Sequence, residues 1–180
     1  MGARRPRPPN DASVHRRFFT ANDSAQEIHF TSRKMAAGGK AASQVARQCQ
    51  AAKESSTLDL SNCDLLQMPD AVFFILKEYE IGVCNLGSNR LKRFPKKLPA
   101  KFPALKVLNL CGNQLEEIPD EAGHLQVVDV SDNLIEEVDL QRVVTELPNL
   151  KQLFLTSASL KRPVDEMVSD YEGSLPFKIG

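Results

Sequence analysis

At 180 residues, with lysine plus arginine balancing aspartate plus glutamate at 23 each, the chain fits one modest domain with tails and carries no global field to attract nucleic acid or acidic lipid. Aromatic residues make up only 6% and tryptophan is absent, which leaves few stacking platforms for single-stranded RNA or DNA, so no direct nucleic-acid contact is expected. The four cysteines, Cys49, Cys63, Cys84 and Cys111, stand singly, without the paired spacing of zinc sites or the clusters of disulfide scaffolds, and so read as reduced thiols with no metal or cofactor implied.

Residues 1–40 open with RRPRPP and continue without sustained periodicity, which predicts a disordered N-terminal extension. Met35 offers a second start after the composition break, and Pro6 to Pro9 hold a PxxP match of a kind common in disordered tails. Nothing here joins a basic region to an apolar run of signal-peptide length, and no segment approaches the ~18 apolar residues of a membrane span. A cytoplasmic protein is expected, nuclear being possible, with no membrane contact, and the Asn22-Asp23-Ser24 sequon is then without consequence. GGKAAS has an outward likeness to a phosphate-binding loop, but lysine stands at 34 and alanine at 41 where that loop needs glycine and Ser or Thr.

Over 41–54, Ala41, Val45, Cys49 and Ala52 share one helical face, as a capping helix requires. Residues 55–163 then repeat a pattern L-x-L-x-x-N-x-L-x-x-L-P. LNLCGNQLEEIP is its clearest copy, with Leu108, Leu110, Asn113, Leu115, Ile118 and Pro119 in the six places. The asparagine place falls at 63, 89, 113, 133 and 158, so the period is 20 to 26 residues, that of a horseshoe solenoid. Each L-x-L is a short strand, and stacking gives an α/β fold: a curved parallel sheet on the concave side, helices and turns on the convex side, about five repeats with helical caps. Asn89, Asn113 and Asn133 are structural, closing backbone hydrogen bonds between neighbours, while Cys63 and Ala158 replace asparagine in the end repeats. AVFFILKEYE after Pro69 suits a convex-side helix, and the DEAGH segment leaves no room for one. Residues 164–180 form a C-terminal cap and tail, with Pro163 at a helix start, Val164, Met167, Val168 and Tyr171 on one face, and Gly173 as the stop.

With VARQCQAAKESSTLDLSNCDLLQMPDAVFFIL running from a helical cap into a first repeat, followed by LGSNRL and LCGNQL, the chain resembles short cytoplasmic leucine-rich repeat proteins over about residues 40 to 155. That resemblance implies a small intracellular repeat protein with no assigned catalytic residues. The chain departs from it in the N-terminal extension, in the short stretch from Asp120 to His124, and after Leu155.

Function then falls to the outward strand positions, because repeat proteins bind along the surface these columns make. The first column is Thr57, Val83, Val107, Val127 and Gln152, and the second is Asp59, Asn85, Asn109, Asp129 and Phe154. The third is Ser61, Gly87, Cys111, Ser131 and Thr156. An apolar stripe beside an amide and carboxylate stripe suits a protein or peptide, although β-branched and small polar residues also simply suit strands. Asp59, Val83, Asn85, Val107, Asn109, Cys111, Val127, Asp129 and Phe154 are therefore the candidate contacts of a protein partner. Substituting Asp59, Asn85 and Asn109 together is expected to abolish capture and leave the fold intact.

No constellation supplies nucleophile, base and orienting group, so no enzyme is expected: His15, His29 and His124 are dispersed, and His124 reads as a convex-loop surface residue. Cys63 and Cys84 occupy core places, while Cys111 faces outward with no basic neighbour in sequence to lower its pKa. Charge comes in blocks after the strands, Lys92, Arg93, Lys96, Lys97 and Lys101, then Glu116, Glu117, Asp120 and Glu121, then Glu136, Glu137 and Asp139. Solvation and weak pairing between repeats is the plain reading of these blocks, with an acidic partner for the basic block as the alternative. The expected function is that of an adaptor or regulatory subunit, a monomer with a protein partner; the alternative is a structural subunit of a ribonucleoprotein or other large complex.

Overall fold

The computed structural model describes residues 39–118, 123–156 and 159–180, with no side-chain description for 39–41. The expectations for 1–38, including the PRPP segment, the Met35 start, His15 and His29, and those for Pro119, Asp120, Glu121 and Ala158 lie outside the described residues.

Helix α1, Gly39–Ser55, buries Ala42, Val45, Cys49 and Ala52 on one face, which holds the residues at 39–43 in helix rather than in a phosphate-binding loop. The left-handed Ser56 (φ 55°) turns the chain directly into strand β1, Thr57–Asp59. Strands β2 (Val83–Asn85), β3 (Val107–Asn109), β4 (Val127–Asp129) and β5 (Gln152–Phe154) follow, and β6 (Lys178–Ile179) completes one parallel sheet in sequential order. The register aligns Thr57, Val83, Val107, Val127, Gln152 and Lys178 in one column. Alternation then fixes the inner row: Leu58, Cys84, Leu108, Val128 and Leu153 are all fully buried, and so are Leu60, Leu86, Leu110 and Val130 two residues on.

Between strands the chain returns over the convex side through short helices, α2 (Asp70–Ile75), α3 (Lys97–Lys101) and α4 (Leu140–Glu146). The first occupies only part of the AVFFILKEYE segment: it ends at Leu76, once Ala71, Val72 and Phe73 have met the core, and the chain turns through the charged residues that follow. Helix α3 tolerates Pro99 because that residue lies in its first turn, where no intrahelical N–H bond is forfeited. Asp139, which the charge pattern grouped with an acidic block, caps α4 by accepting a hydrogen bond from the Arg142 N–H at 3.0 Å.

At the C-terminal end, α5 (Val164–Asp170) starts after Pro163 as expected but buries only Met167 of its anticipated face, and Val168 is exposed. Strand β6 was not anticipated. It forms because Gly180 N–H donates to the Leu153 carbonyl and the Leu155 N–H to that of Gly180, each at 3.0 Å, while Phe177 enters the core.

Candidate partner-binding face

Four turns leaving the strands share one backbone device. Asn62, Ser88, Gly112 and Asp132 all adopt left-handed φ between 52° and 66°, and each directly precedes the asparagine place of its repeat. Short polar residues and glycine tolerate that conformation best. The turn drives the next side chain inward, where Asn89, Asn113 and Asn133 are only 4 to 7% exposed.

Each of these buried amides bridges two repeats. Asn113 Nδ2 donates to the carbonyls of Leu86 (3.0 Å) in the preceding repeat and Leu110 (2.9 Å) in its own, and its Oδ1 accepts from the Leu91 N–H (3.0 Å). Asn133 repeats that arrangement with Leu110, Val130 and Leu115. Asn89 reaches Leu60 and Leu86 and accepts from both Cys63 and Leu65. Cys63, in the asparagine place of the first repeat, has no preceding repeat to bridge and donates its thiol to the Ser61 carbonyl at 3.4 Å.

The nine candidate contacts all lie half-buried on the sheet face opposite the leucine core. The structure gives the second column an additional role. Asp59, Asn85, Asn109 and Asp129 each accept, through Oδ1, a hydrogen bond from the backbone N–H two residues ahead, at 2.8 to 3.0 Å. These side chains close the strand ends, so substituting Asp59, Asn85 and Asn109 together would remove three backbone bonds as well as alter the face. Gly87 lies close between two of them: a Cβ there would stand 3.1 Å from Asn85 Oδ1 and 3.4 Å from Asn109 Oδ1, so these side chains would have to give by a few tenths of an ångström.

Val83, Val107 and Val127 therefore form the part of the face with no polar duty, a row aligned across three adjacent strands. Lys178 extends their column, a position that the two-residue β6 made invisible to period counting. Phe154 lies at the C-terminal end of the second column against the chain terminus, its ring 3.1 Å from the Cβ position of Gly180, so the C-terminal residues cover one side of it.

Cys111 is the one candidate with nucleophilic chemistry. Its thiol points at Asp132 Oδ2 (3.8 Å), and desolvation, followed by the charges of Asp129 and Asp132, pushes its pKa up. Such a thiol is protonated and unreactive at neutral pH. His124 is half-buried, and its Nε2 has no partner among the described residues, a correction to its reading as a surface residue. No group of His, Cys, Asp and Glu among the described residues could hold a metal ion.

A family profile described as Leucine Rich Repeat matches residues 104–125, the segment that runs through β3 and its asparagine turn. The fold is that of a leucine-rich repeat solenoid. It is 35% identical over 92 residues to leucine-rich repeat-containing protein 20 of Mus musculus, and equally so to that of Homo sapiens. The match takes in 49% of this chain and 50% of each relative, so the chain spans about half the length of the curated relatives it matches. Among solved structures, the leucine-rich repeat domain of APL1B aligns at 24% identity with a TM-score of 0.40, over 51% of this chain and 27% of that one. Leucine-rich repeat proteins are in general binding scaffolds rather than enzymes, and they present the inner sheet to their partners. No helix among the described residues is long and apolar enough to cross a membrane.

Proposed function

We propose that this leucine-rich repeat chain is a non-enzymatic interaction module, an adaptor or regulatory subunit that takes a protein partner along its outward sheet face. It works as a monomer in the cytoplasm. The observation that carries this reading is the aligned row of Val83, Val107 and Val127, half-buried, with polar residues beside it whose acceptors are already engaged on the backbone. Apolar area framed by polar groups is how the centre of a protein interface is built. Asp59 and Asp129 each retain a second carboxylate oxygen at the margin of this row, and those oxygens favour a partner with basic or amide groups along its edge.

The discriminating experiment is Val107→Arg and Val127→Arg, singly and together, in place of substitutions in the second column. Arginine at these half-buried positions can extend into solvent, so thermal unfolding should change little while partners captured by the parent chain are lost from the variants. Capture that is unaltered by both substitutions on a folded chain would reject the sheet face.

A further inference from the structure

We propose a second binding site on this chain, a basic groove on the loops that follow β1 and β2, whose ligand is an acidic segment of a partner protein carrying apolar side chains. The groove, about 510 Å³, shares no residue with the outward sheet columns. Its floor is Met68 and Phe73, both 7% exposed, with the half-buried Phe94 beside them, and Leu66 stands at the rim, 39% exposed. Lys92 and Arg93 supply the charge. Both are exposed, and neither forms an ion pair among the described residues, although Glu116 and Glu117 line the next groove along with them. At the other end Lys97 is held by Asp70 at 2.8 Å, and nearby Asp64 is engaged by Arg90 at 3.2 Å. Asp70 and Asp64 are thus committed to other cations, and among the described residues Lys92 and Arg93 are held in no ion pair.

The combination selects the ligand. Apolar floor and rim reward burial of an aliphatic or aromatic side chain. The Arg93 guanidinium matches a carboxylate in a two-bond fork, with Lys92 as a second point charge. A nucleic-acid backbone fits less well, because Glu116, Glu117, Glu136 and Glu137 continue the same run of loops and repel phosphates beyond the groove. A short acidic segment places its charges on the basic end alone.

The test is fluorescence anisotropy on the full chain, with a short fluorescein-labelled peptide of interspersed glutamate and leucine. Three controls accompany it: the same peptide with lysine for glutamate, one with serine for leucine, and a single-stranded oligonucleotide of equal charge. The glutamate-leucine peptide should bind better than all three. Lys92→Glu with Arg93→Glu should weaken it about tenfold or more, since both contacts become repulsive. Leu66→Ala should weaken the leucine-bearing peptide and leave its serine counterpart unchanged, and Lys151→Glu, on a different part of the surface, should have no effect. The substituted side chains are exposed, so an unchanged urea midpoint will show that each variant is folded. The proposal is overturned by indifference of the peptide to the double charge reversal, by tighter binding of the lysine peptide or the oligonucleotide, or by no measurable binding of the acidic peptide. It is equally overturned if sedimentation shows self-association that the double reversal abolishes, for the groove's occupant is then a second copy of the chain.

Discussion

The asparagines of the turns and those of the sheet face are the same residue type in two energetic settings. Asn113 is buried and satisfies two carbonyls and one N–H, drawn from neighbouring repeats, so Asn113→Ala strands several polar groups away from water. Each unsatisfied buried group costs about 1 to 3 kcal/mol, and the substitution should remove about 3 kcal/mol or more. Asn85→Ala removes one bond, to the Gly87 N–H on the half-exposed face where water can replace it, and should cost about 1 kcal/mol. Urea midpoints at an unchanged m-value test the pair, and equal losses would refute this division of roles. Leu110, fully buried between two of the asparagine bridges, belongs to a third class: Leu110→Ala should cost about 2 to 5 kcal/mol through the cavity it leaves. Sequence reading separated these classes only partly. The inward asparagines were legible because their period is fixed, whereas the backbone bonds of Asp59, Asn85, Asn109 and Asp129 join residues two apart and leave no periodic trace beyond the outward column itself.

No strand from β1 to β5 exceeds three residues and β6 has two, so each is stable only as a neighbour's neighbour and the ends of the stack need cover. Helix α1 supplies it at β1, burying Val45 and Cys49 almost completely. A carboxylate at that contact would be buried without a partner, and Val45→Asp should cost several kcal/mol, lowering the melting temperature by 10 °C or more on the scale of about 2 to 8 °C per kcal/mol. A substitution without thermal effect would mean that the helix is dispensable. The repeats and this helix were legible because both rest on apolar spacing over many residues. Helices α3 and α4 were not, since five or seven residues offer too few turns for a 3.6-residue period to emerge, and β6 has only two residues. At the sheet face the columns followed from alternation alone, but Phe154 changed in meaning because residues at the opposite end of its repeat fold back against it.

At the scale of the whole molecule, one core runs from the capping helix through the repeats and buries three thiols, Cys49, Cys63 and Cys84, and that couples stability to alkaline pH. Burial pushes the Cys49 thiol up to about 12 and raises Cys84 and Cys63 as well. In the unfolded chain all three return to the ordinary cysteine value of about 8.5. As pH rises past that value the unfolded chain releases protons that the folded chain retains, so the unfolded state is favoured and stability falls. Below about pH 8 both states are protonated and the thiols contribute no slope. Between about pH 8.5 and 10, before most lysines and tyrosines titrate, each buried thiol should contribute up to about 1.4 kcal/mol per pH unit. Urea midpoints recorded under reducing conditions from pH 7 to 10 should therefore be flat at first and then decline. Cys49→Ala, which leaves the helix contact otherwise apolar, should reduce the alkaline slope by one thiol's share and leave the shape of the neutral plateau unchanged. An identical slope in parent and variant would show that Cys49 ionises as readily in the folded chain as in the unfolded one, and that the contact between α1 and β1 is open to water.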